Sequence, residues 1–128
     1  MKLLLDTHVF LWWLSDPDRL SSTARERMVD SRNRLYFSAA SSWEIAIKQG
    51  LGKIRFAGSI TAILPRAMQE QAVTPLPVEH VHAFHVTKLP LHHRDPFDRM
   101  LVAQAQLETL AILSADPQLG AYDVEIVW

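Results

Sequence analysis

Short apolar runs alternate along this chain with longer stretches in which apolar residues recur at helical spacing. Four short runs predict strands, namely Lys2–Leu5, Leu35–Ser38, Val73–Leu76 and Leu110–Ser114. Pro75 weakens the third assignment because proline cannot donate to a strand ladder. Val124–Trp128 is a candidate for a last strand.

The longer stretches predict the helices that connect these strands. They are His8–Leu14, Ser22–Ser31, Ser41–Gln49, Ser59–Gln71, Val78–Val86 and Asp95–Glu108. Pro65 lies inside the fourth helix and makes that assignment weaker. Alternating strands and helices predict an α/β fold with a mainly parallel central sheet flanked by helices. A length of 128 residues suits a single domain, 1–128.

The amino-acid composition excludes several classes of functional site. The absence of cysteine removes disulfides, thiolate zinc sites and cysteine nucleophiles. No apolar run reaches the roughly 18 residues of a membrane helix, so we expect a cytoplasmic protein without membrane contact. The net charge of −1 gives no bulk attraction for nucleic acid. RNA affinity would need a local patch, and a basic group is a candidate, although a solvated helix face explains it equally well. That group is Arg19, Arg25, Arg27, Arg32 and Arg34.

Four carboxylates occupy comparable places in the predicted fold. Asp6 and Asp116 follow strands, whereas Glu44 and Asp98 lie in the first turns of predicted helices. In parallel sheets, ligands bind beyond the carboxyl ends of the strands. All four side chains are therefore predicted to point into one cleft.

Each carboxylate taken singly also has a structural explanation. Asp6 can cap a helix, and Ser41 with Glu44 matches a capping box. Asp95 and Pro96 match an N-cap followed by an N1 proline, and Asp116 precedes a proline in the same way. Convergence favours the functional interpretation, because two carboxylates about 5 Å apart repel by roughly 3 kcal/mol. An all-oxygen donor set selects Mg²⁺ or Mn²⁺, and phosphodiester hydrolysis is the natural use.

At these residues the chain resembles the PIN-domain ribonucleases, and in particular the VapC-type toxins of type II toxin–antitoxin systems. The matching segments are LLLDTHVFLWWL, SSWEIAIKQGLGKI, HHRDPFDRMLVAQA and AILSADPQLGAYDVEIVW, which together span nearly the whole chain. The resemblance implies a three-layer PIN fold and metal-dependent endonucleolytic cleavage of RNA. It also implies in-line attack by water, which leaves a 3′-hydroxyl and a 5′-phosphate.

The resemblance also assigns residues and partners. Asp6, Glu44, Asp98 and Asp116 match the acidic quartet of the family, which is both catalytic and metal-binding, with Mg²⁺ as cofactor and Mn²⁺ as a substitute. Ser114 and Thr7 match helper positions. The implied partners are an RNA substrate, a VapB-like antitoxin whose tail occupies the cleft, and a second copy in a homodimer.

Three charged residues near the quartet have two interpretations each. Asp95 is interpreted as a helix cap, with metal contact through water as the lesser option. Lys48 lies four residues after Glu44 and forms a helix pair, holds Glu44 in position or contacts a phosphate. Arg99 is solvated, ion-paired or in contact with an RNA phosphate.

Two further features are ambiguous. The histidines between His80 and His93 match no zinc pattern, although His92 or His93 can lie near the cleft. The helix around Trp12 and Trp13 is apolar nearly all round, which suits core packing, a dimer interface or an antitoxin groove.

The alternative function is a catalytically silent PIN-like module that binds RNA or protein. The presence of all four acids counts against it.

Overall fold

The computed structural model describes residues 1–128, which fold around a central sheet. The strands are β1 (Lys2–Leu5), β2 (Arg34–Ser38), β3 (Val73–Leu76), β4 (Ala111–Leu113) and β5 (Ile126–Val127). The helices are α1 (Thr7–Ser15), α2 (Ser22–Val29), α3 (Ala39–Gly50), α4 (Ile60–Glu70), α5 (His80–His85) and α6 (Pro96–Glu108). Short 3₁₀ turns span Pro17–Arg19, Val86–Lys88 and Pro117–Ala121.

All strand pairs are parallel, in the order β3-β2-β1-β4-β5. The central strand β1 pairs with β2 on one side, where Leu3 faces Leu35, and with β4 on the other, where Leu3 faces Ala111. The predicted α/β fold with a mainly parallel sheet is therefore confirmed. Because β2 and β3 lie to one side of β1 and β4 and β5 to the other, a crevice opens beyond the carboxyl ends of β1 and β4.

Two apolar cores cover the two faces of the sheet. Leu3 and Leu5 point to the face covered by α1, α2 and α4, and Leu4 points to the face covered by α6. Phe10 of α1 packs on Phe37 of β2 with ring centroids 4.6 Å apart, and both are almost fully buried. This alternation of side chains is the strand period of two, and it produces the three layers.

The start of α3 differs from the sequence prediction. Ser41 was expected to cap this helix and to form a capping box with Glu44, but the N-cap is Ser38, whose hydroxyl accepts from the backbone N–H of Ala40 at 3.0 Å. The predicted box is wrong, and Glu44 lies in the second turn rather than the first. Both side chains are thereby free for other contacts.

The two prolines inside predicted elements are accommodated. Pro65 lies on the exposed side of α4. Pro75 lies in β3, which is an edge strand, so its missing N–H leaves no interior ladder position unpaired. No helix combines the length and apolar character needed to cross a bilayer.

Candidate active site

Asp6 lies at the end of β1, in the crevice between β1 and β4. Its side chain is 7% exposed and accepts a hydrogen bond from the Ser114 hydroxyl at 2.7 Å. Burial raises the pKa of Asp6, and the Glu44 charge adds to that rise, whereas the bond from Ser114 opposes it. Asp6 occupies the N-cap position of α1, but its side chain makes no cap bond. Its carboxylate is therefore directed to the crevice instead of to the helix.

Glu44 is 4% exposed and is held at both oxygens. Thr7 Oγ1 lies 2.8 Å from Glu44 Oε1 and 2.8 Å from Ser41 Oγ, and because an ionised carboxylate only accepts, the Thr7 hydroxyl donates to it. Lys48 Nζ donates to Oε2 at 2.6 Å. The expected pairing of Lys48 with Glu44 is therefore present. These contacts tie α3 to the first turn of α1 and fix Glu44 at one place.

Asp98 lies on the first turn of α6, which Asp95 caps. The Asp95 side chain accepts from the backbone N–H groups of Phe97 at 2.9 Å and Asp98 at 3.2 Å, the cap role that the sequence favoured. Burial raises the pKa of Asp98 to about 7, with further contributions from the charges of Asp95, Asp6, Glu44 and Asp116. Asp98 thus experiences the charge of each other carboxylate that the sequence placed at the site.

Asp116 follows β4 and is linked to Asp6 through Ser114. The Ser114 hydroxyl accepts from the backbone N–H of Asp116 at 3.0 Å while it donates to Asp6. Asp116 also caps the following 3₁₀ turn by accepting from Gln118 N–H at 2.9 Å. One hydroxyl therefore sets the relative position of two acids from opposite ends of the chain. We call Asp6, Glu44, Asp98 and Asp116 the acid cluster.

Arg99 forms no ion pair, which was one of the alternatives expected for it, and its contact with an RNA phosphate stays a prediction. Its guanidinium donates to the carbonyl oxygens of Pro90 at 2.8 Å, Val86 at 3.2 Å and Leu89 at 3.4 Å. It also donates to the hydroxyl of Tyr122 at 3.2 Å. A planar fork with several donors suits this task, because it can reach several carbonyls of the segment between α5 and α6 at once.

The basic group from Arg19 to Arg34 is largely engaged in local contacts. Arg25 pairs with Asp18 at 3.4 Å and Arg32 pairs with Asp30 at 2.8 Å. Arg19 differs, since its guanidinium lies 4.4 Å from the ring centroid of Trp12. It lines a cavity of about 330 Å³ together with Asp6 and Asp116. Of this group, Arg19 is thus the arginine that the fold brings to the acids.

A second group of ligand-type side chains lies between α5 and α6. Glu79, His82 and Glu108 each offer one atom within 4.8 Å of the others. His82 Nδ1 accepts from the backbone N–H of Glu79 at 2.9 Å, so the proton of the neutral ring is on Nε2, which donates to Glu108 at 2.8 Å. Metal binding at Nε2 would need this proton on Nδ1, where the backbone already donates. The group is a hydrogen-bonded link between two helices.

Several contacts were not predicted. Ser41 bonds to Thr7 because the true cap lies three residues earlier, and Tyr122 bonds to Arg99 and His93. His93 was only placed near the cleft, and its Nε2 lies 3.6 Å from Asp98 Oδ2. Adjacency to the DPFD segment was the one sequence signal for His93. Tyr122, 23 residues after Arg99, gave none.

Comparison with known proteins agrees with this architecture. The PIN domain family model matches residues 3–125. Ribonuclease VapC16 of Mycobacterium tuberculosis (strain ATCC 25618 / H37Rv) is 41% identical over 56 residues, or 44% of this chain. The match covers 40% of the length of that relative.

Solved structures resemble the fold over nearly the whole chain. The structure of VapBC2 from Rickettsia felis, bound to a DNA fragment from its own promoter, has a TM-score of 0.73 at 12% identity. The match covers 99% of this chain and 98% of that one. VapBC-1 from nontypeable Haemophilus influenzae scores 0.69 at 19% identity, with 99% and 97% covered. FitAcB from Neisseria gonorrhoeae has a TM-score of 0.60 at 19% identity, covering 98% of this chain and 96% of that one. At these identities the likeness establishes the fold.

Proposed function

Because the chain belongs to the PIN domain family, we propose that it is a Mg²⁺-dependent endoribonuclease, with Mn²⁺ as a substitute, and the toxin of a toxin–antitoxin pair. The observation that carries the nuclease proposal is the acid cluster, in which four carboxylates from separate chain segments share one crevice. The names of the relatives, a ribonuclease VapC16 and VapBC pairs, support the RNA substrate and the toxin role.

The residues of the acid cluster fit a hard divalent cation. All donors are carboxylate oxygens, the ligand type that Mg²⁺ and Mn²⁺ prefer. Only one of the four, Glu44, has a lysine or arginine side chain within bonding distance. Burial, with added repulsion from the other acids, raises the pKa of Asp98 to about 7. A divalent ion held by these carboxylates would neutralise their charge and would supply an acidified water and stabilisation of the leaving oxygen of a phosphodiester.

The polar residues around the cluster position these ligands. Ser114 holds Asp6 and the backbone of Asp116, and Thr7 and Lys48 hold Glu44. Both oxygens of Glu44 are engaged in hydrogen bonds, so Glu44 joins the proposed metal ligands from a fixed position. Asp98, in contrast, accepts no side-chain hydrogen bond of normal length. In this proposal Asp6, Asp98 and Asp116 approach the metal most directly.

Arg19 is the proposed contact for the substrate backbone. Its guanidinium is held over Trp12 at the wall of the cavity that contains Asp6 and Asp116. A guanidinium stacked on an indole keeps its donors free at the edge, and these match phosphate oxygens in a fork geometry. An RNA phosphate bound there lies beside the carboxylates, and the arginine offsets repulsion between the two.

A VapB-like antitoxin is the proposed regulatory partner, and a homodimer remains part of the proposal. An exposed apolar stripe begins on α3, whereas Trp12 and Trp13 of α1 are partly buried against the core. Trp43, Ile47 and Leu51 form one stripe at helical spacing and are 64%, 39% and 66% exposed. An exposed apolar stripe of this kind is the proposed protein-binding surface.

The test is a cleavage assay on total cellular RNA with EDTA, Mg²⁺ or Mn²⁺. Wild type is compared with Asp6→Asn and with Asp123→Asn, which removes an exposed carboxylate outside the cluster. We expect discrete fragments that require metal, are retained in Asp123→Asn and are lost in Asp6→Asn. Cleavage that survives Asp6→Asn contradicts the mechanism. Protein that binds Mn²⁺ and RNA without cleavage is instead the silent binding module.

A further inference from the structure

His93 is a largely buried histidine that points at the acid cluster without completing a hydrogen bond. Its side chain is 12% exposed, and Nε2 lies 3.6 Å from Oδ2 of Asp98. That distance is beyond a hydrogen bond, and Nε2 is shielded from solvent with no other partner. Buried polar groups are nearly always satisfied, so an orphaned ring nitrogen beside a carboxylate requires an explanation.

The other ring nitrogen determines where the proton of His93 lies. Arg99 Nη1 donates to the hydroxyl oxygen of Tyr122 at 3.2 Å, which leaves the hydroxyl proton to be donated elsewhere. His93 Nδ1 lies 3.1 Å from this hydroxyl and accepts it. The proton of the neutral imidazole is therefore on Nε2, the nitrogen that faces Asp98.

The hydrogen-bonded chain from Arg99 through Tyr122 to His93 starts from a fixed residue. Arg99 is anchored by three carbonyl oxygens of the segment before α6, and Tyr122 is 4% exposed. The rings of His93 and Tyr122 lie in contact with centroids 5.4 Å apart. These contacts hold the hydroxyl between Arg99 and Nδ1 and direct Nε2–H toward one oxygen of Asp98.

We propose that His93 is a positioning residue that orients the Asp98 carboxylate through Nε2–H, with Tyr122 and Arg99 fixing its tautomer and direction. The inference deepens the proposed nuclease function and rests on it, since Asp98 needs an orienting donor only if it binds a metal. Ser114 performs this task for Asp6, and Thr7 with Lys48 performs it for Glu44. Without His93, Asp98 would be the only one of these three acids without an orienting side-chain donor.

The physical consequence is a dependence of metal affinity on a residue that is not itself in the acid cluster. Partners that hydrogen-bond to metal ligands fix ligand direction, and their loss typically weakens metal affinity or activity by about 10–100-fold. A histidine that serves only as packing would change stability but not the affinity of correctly folded protein. Metal affinity therefore separates the two roles.

The experiment measures the Mn²⁺ dissociation constant of the full chain from the electron paramagnetic resonance signal of free Mn²⁺. His93→Leu removes the donor, and we expect affinity to fall by about 10–100-fold. His93→Gln keeps an N–H close to the position of Nε2 and should restore most of the affinity. The matched control is His92→Leu, because His92 is exposed and packs on the same Tyr122 ring at 4.8 Å. That control should bind Mn²⁺ like wild type.

Tyr122→Phe supplies a second variant that keeps the ring and removes only the hydroxyl. It should weaken Mn²⁺ binding in the same direction as His93→Leu, and it tests the inference if His93→Leu fails to fold. Wild-type affinity in folded His93→Leu, or in Tyr122→Phe when His93→Leu does not fold, overturns the inference while the metal site stands. Wild type that binds no Mn²⁺ overturns the inference together with the proposed function, so the two failures are distinguishable.

Discussion

Asp98→Asn should make the metal-free protein more stable at alkaline pH, although it removes a proposed ligand. Asn has nearly the same shape as Asp but carries no charge. Burial, followed by the charges of Asp95, Asp6, Glu44 and Asp116, raises the pKa of Asp98 from 3.8 to about 7. The crevice therefore disfavours the ionised side chain, and the neutral amide avoids that cost.

The direction with pH follows from proton binding. The folded protein holds the Asp98 proton up to about pH 7, whereas the unfolded chain releases it near its ordinary pKa of 3.8. Between these values the folded state binds more protons, so this group lowers the free energy of unfolding as pH rises through that interval. Asn has no proton to lose. The difference between variant and wild type should be near zero at pH 4 and largest above pH 7.

The magnitude is worked from the same shift. About three pKa units correspond to ~4 kcal/mol as an upper limit. The side chain is still 20% exposed, so solvent screening reduces the expected gain to ~2 kcal/mol at pH 8. For a domain of 128 residues this corresponds to about 8 °C in Tm.

The assay is urea unfolding in EDTA at pH 8 and pH 4, followed by the fluorescence of the four tryptophans. Asp123→Asn is the control, because it removes an exposed carboxylate outside the cluster. Its stability should stay within ~0.5 kcal/mol of wild type. If Asp98→Asn is no more stable than wild type at pH 8, or if its advantage persists at pH 4, the argument from carboxylate repulsion is refuted.

Three further perturbations test other parts of the structure. Mn²⁺ at a hundredfold excess over Kd should stabilise wild type by about 2.7 kcal/mol, as measured by urea titration. Asp6→Asn should lose most of this stabilisation. Equal stabilisation of wild type and Asp6→Asn would contradict a metal site that includes Asp6. Arg19→Gln should weaken RNA binding and reduce the salt slope of log K by about 0.7, whereas Arg32→Gln should leave filter-binding curves unchanged. Phe10→Ala should cost about 3–5 kcal/mol, because this ring is fully buried against Phe37; a loss below 1 kcal/mol would contradict the packing described.

Strand and helix periodicity predicted the sheet and the location of the acids well, because both depend on local pattern. Lys2–Leu5 and Val73–Leu76 match the observed strands residue for residue, and the carboxyl ends of β1 and β4 are where Asp6 and Asp116 lie. The rule that places ligands at these ends needs no knowledge of side-chain contacts. It therefore works from sequence alone.

Contacts between distant segments were predicted poorly. The segment SAASSWE offers Ser38, Ser41 and Ser42 as caps, and local chemistry does not choose among them. The choice is made by Thr7, 34 residues from Ser41, whose hydroxyl uses Ser41 as a partner. The contacts of Arg99 were missed for the same reason, since the carbonyls that it satisfies belong to a segment whose path is not encoded by periodicity.

The two buried histidines show how geometry separates a structural bond from a functional one. His82 and His93 both accept at Nδ1 and present Nε2 to a carboxylate. For His82 the bond is closed at 2.8 Å on Glu108, whose side chain is 43% exposed and lies outside the acid cluster. For His93 the distance is 3.6 Å, and the carboxylate that it faces is a member of the acid cluster. The first histidine therefore links two helices, whereas the second leaves its donor directed at a proposed metal ligand.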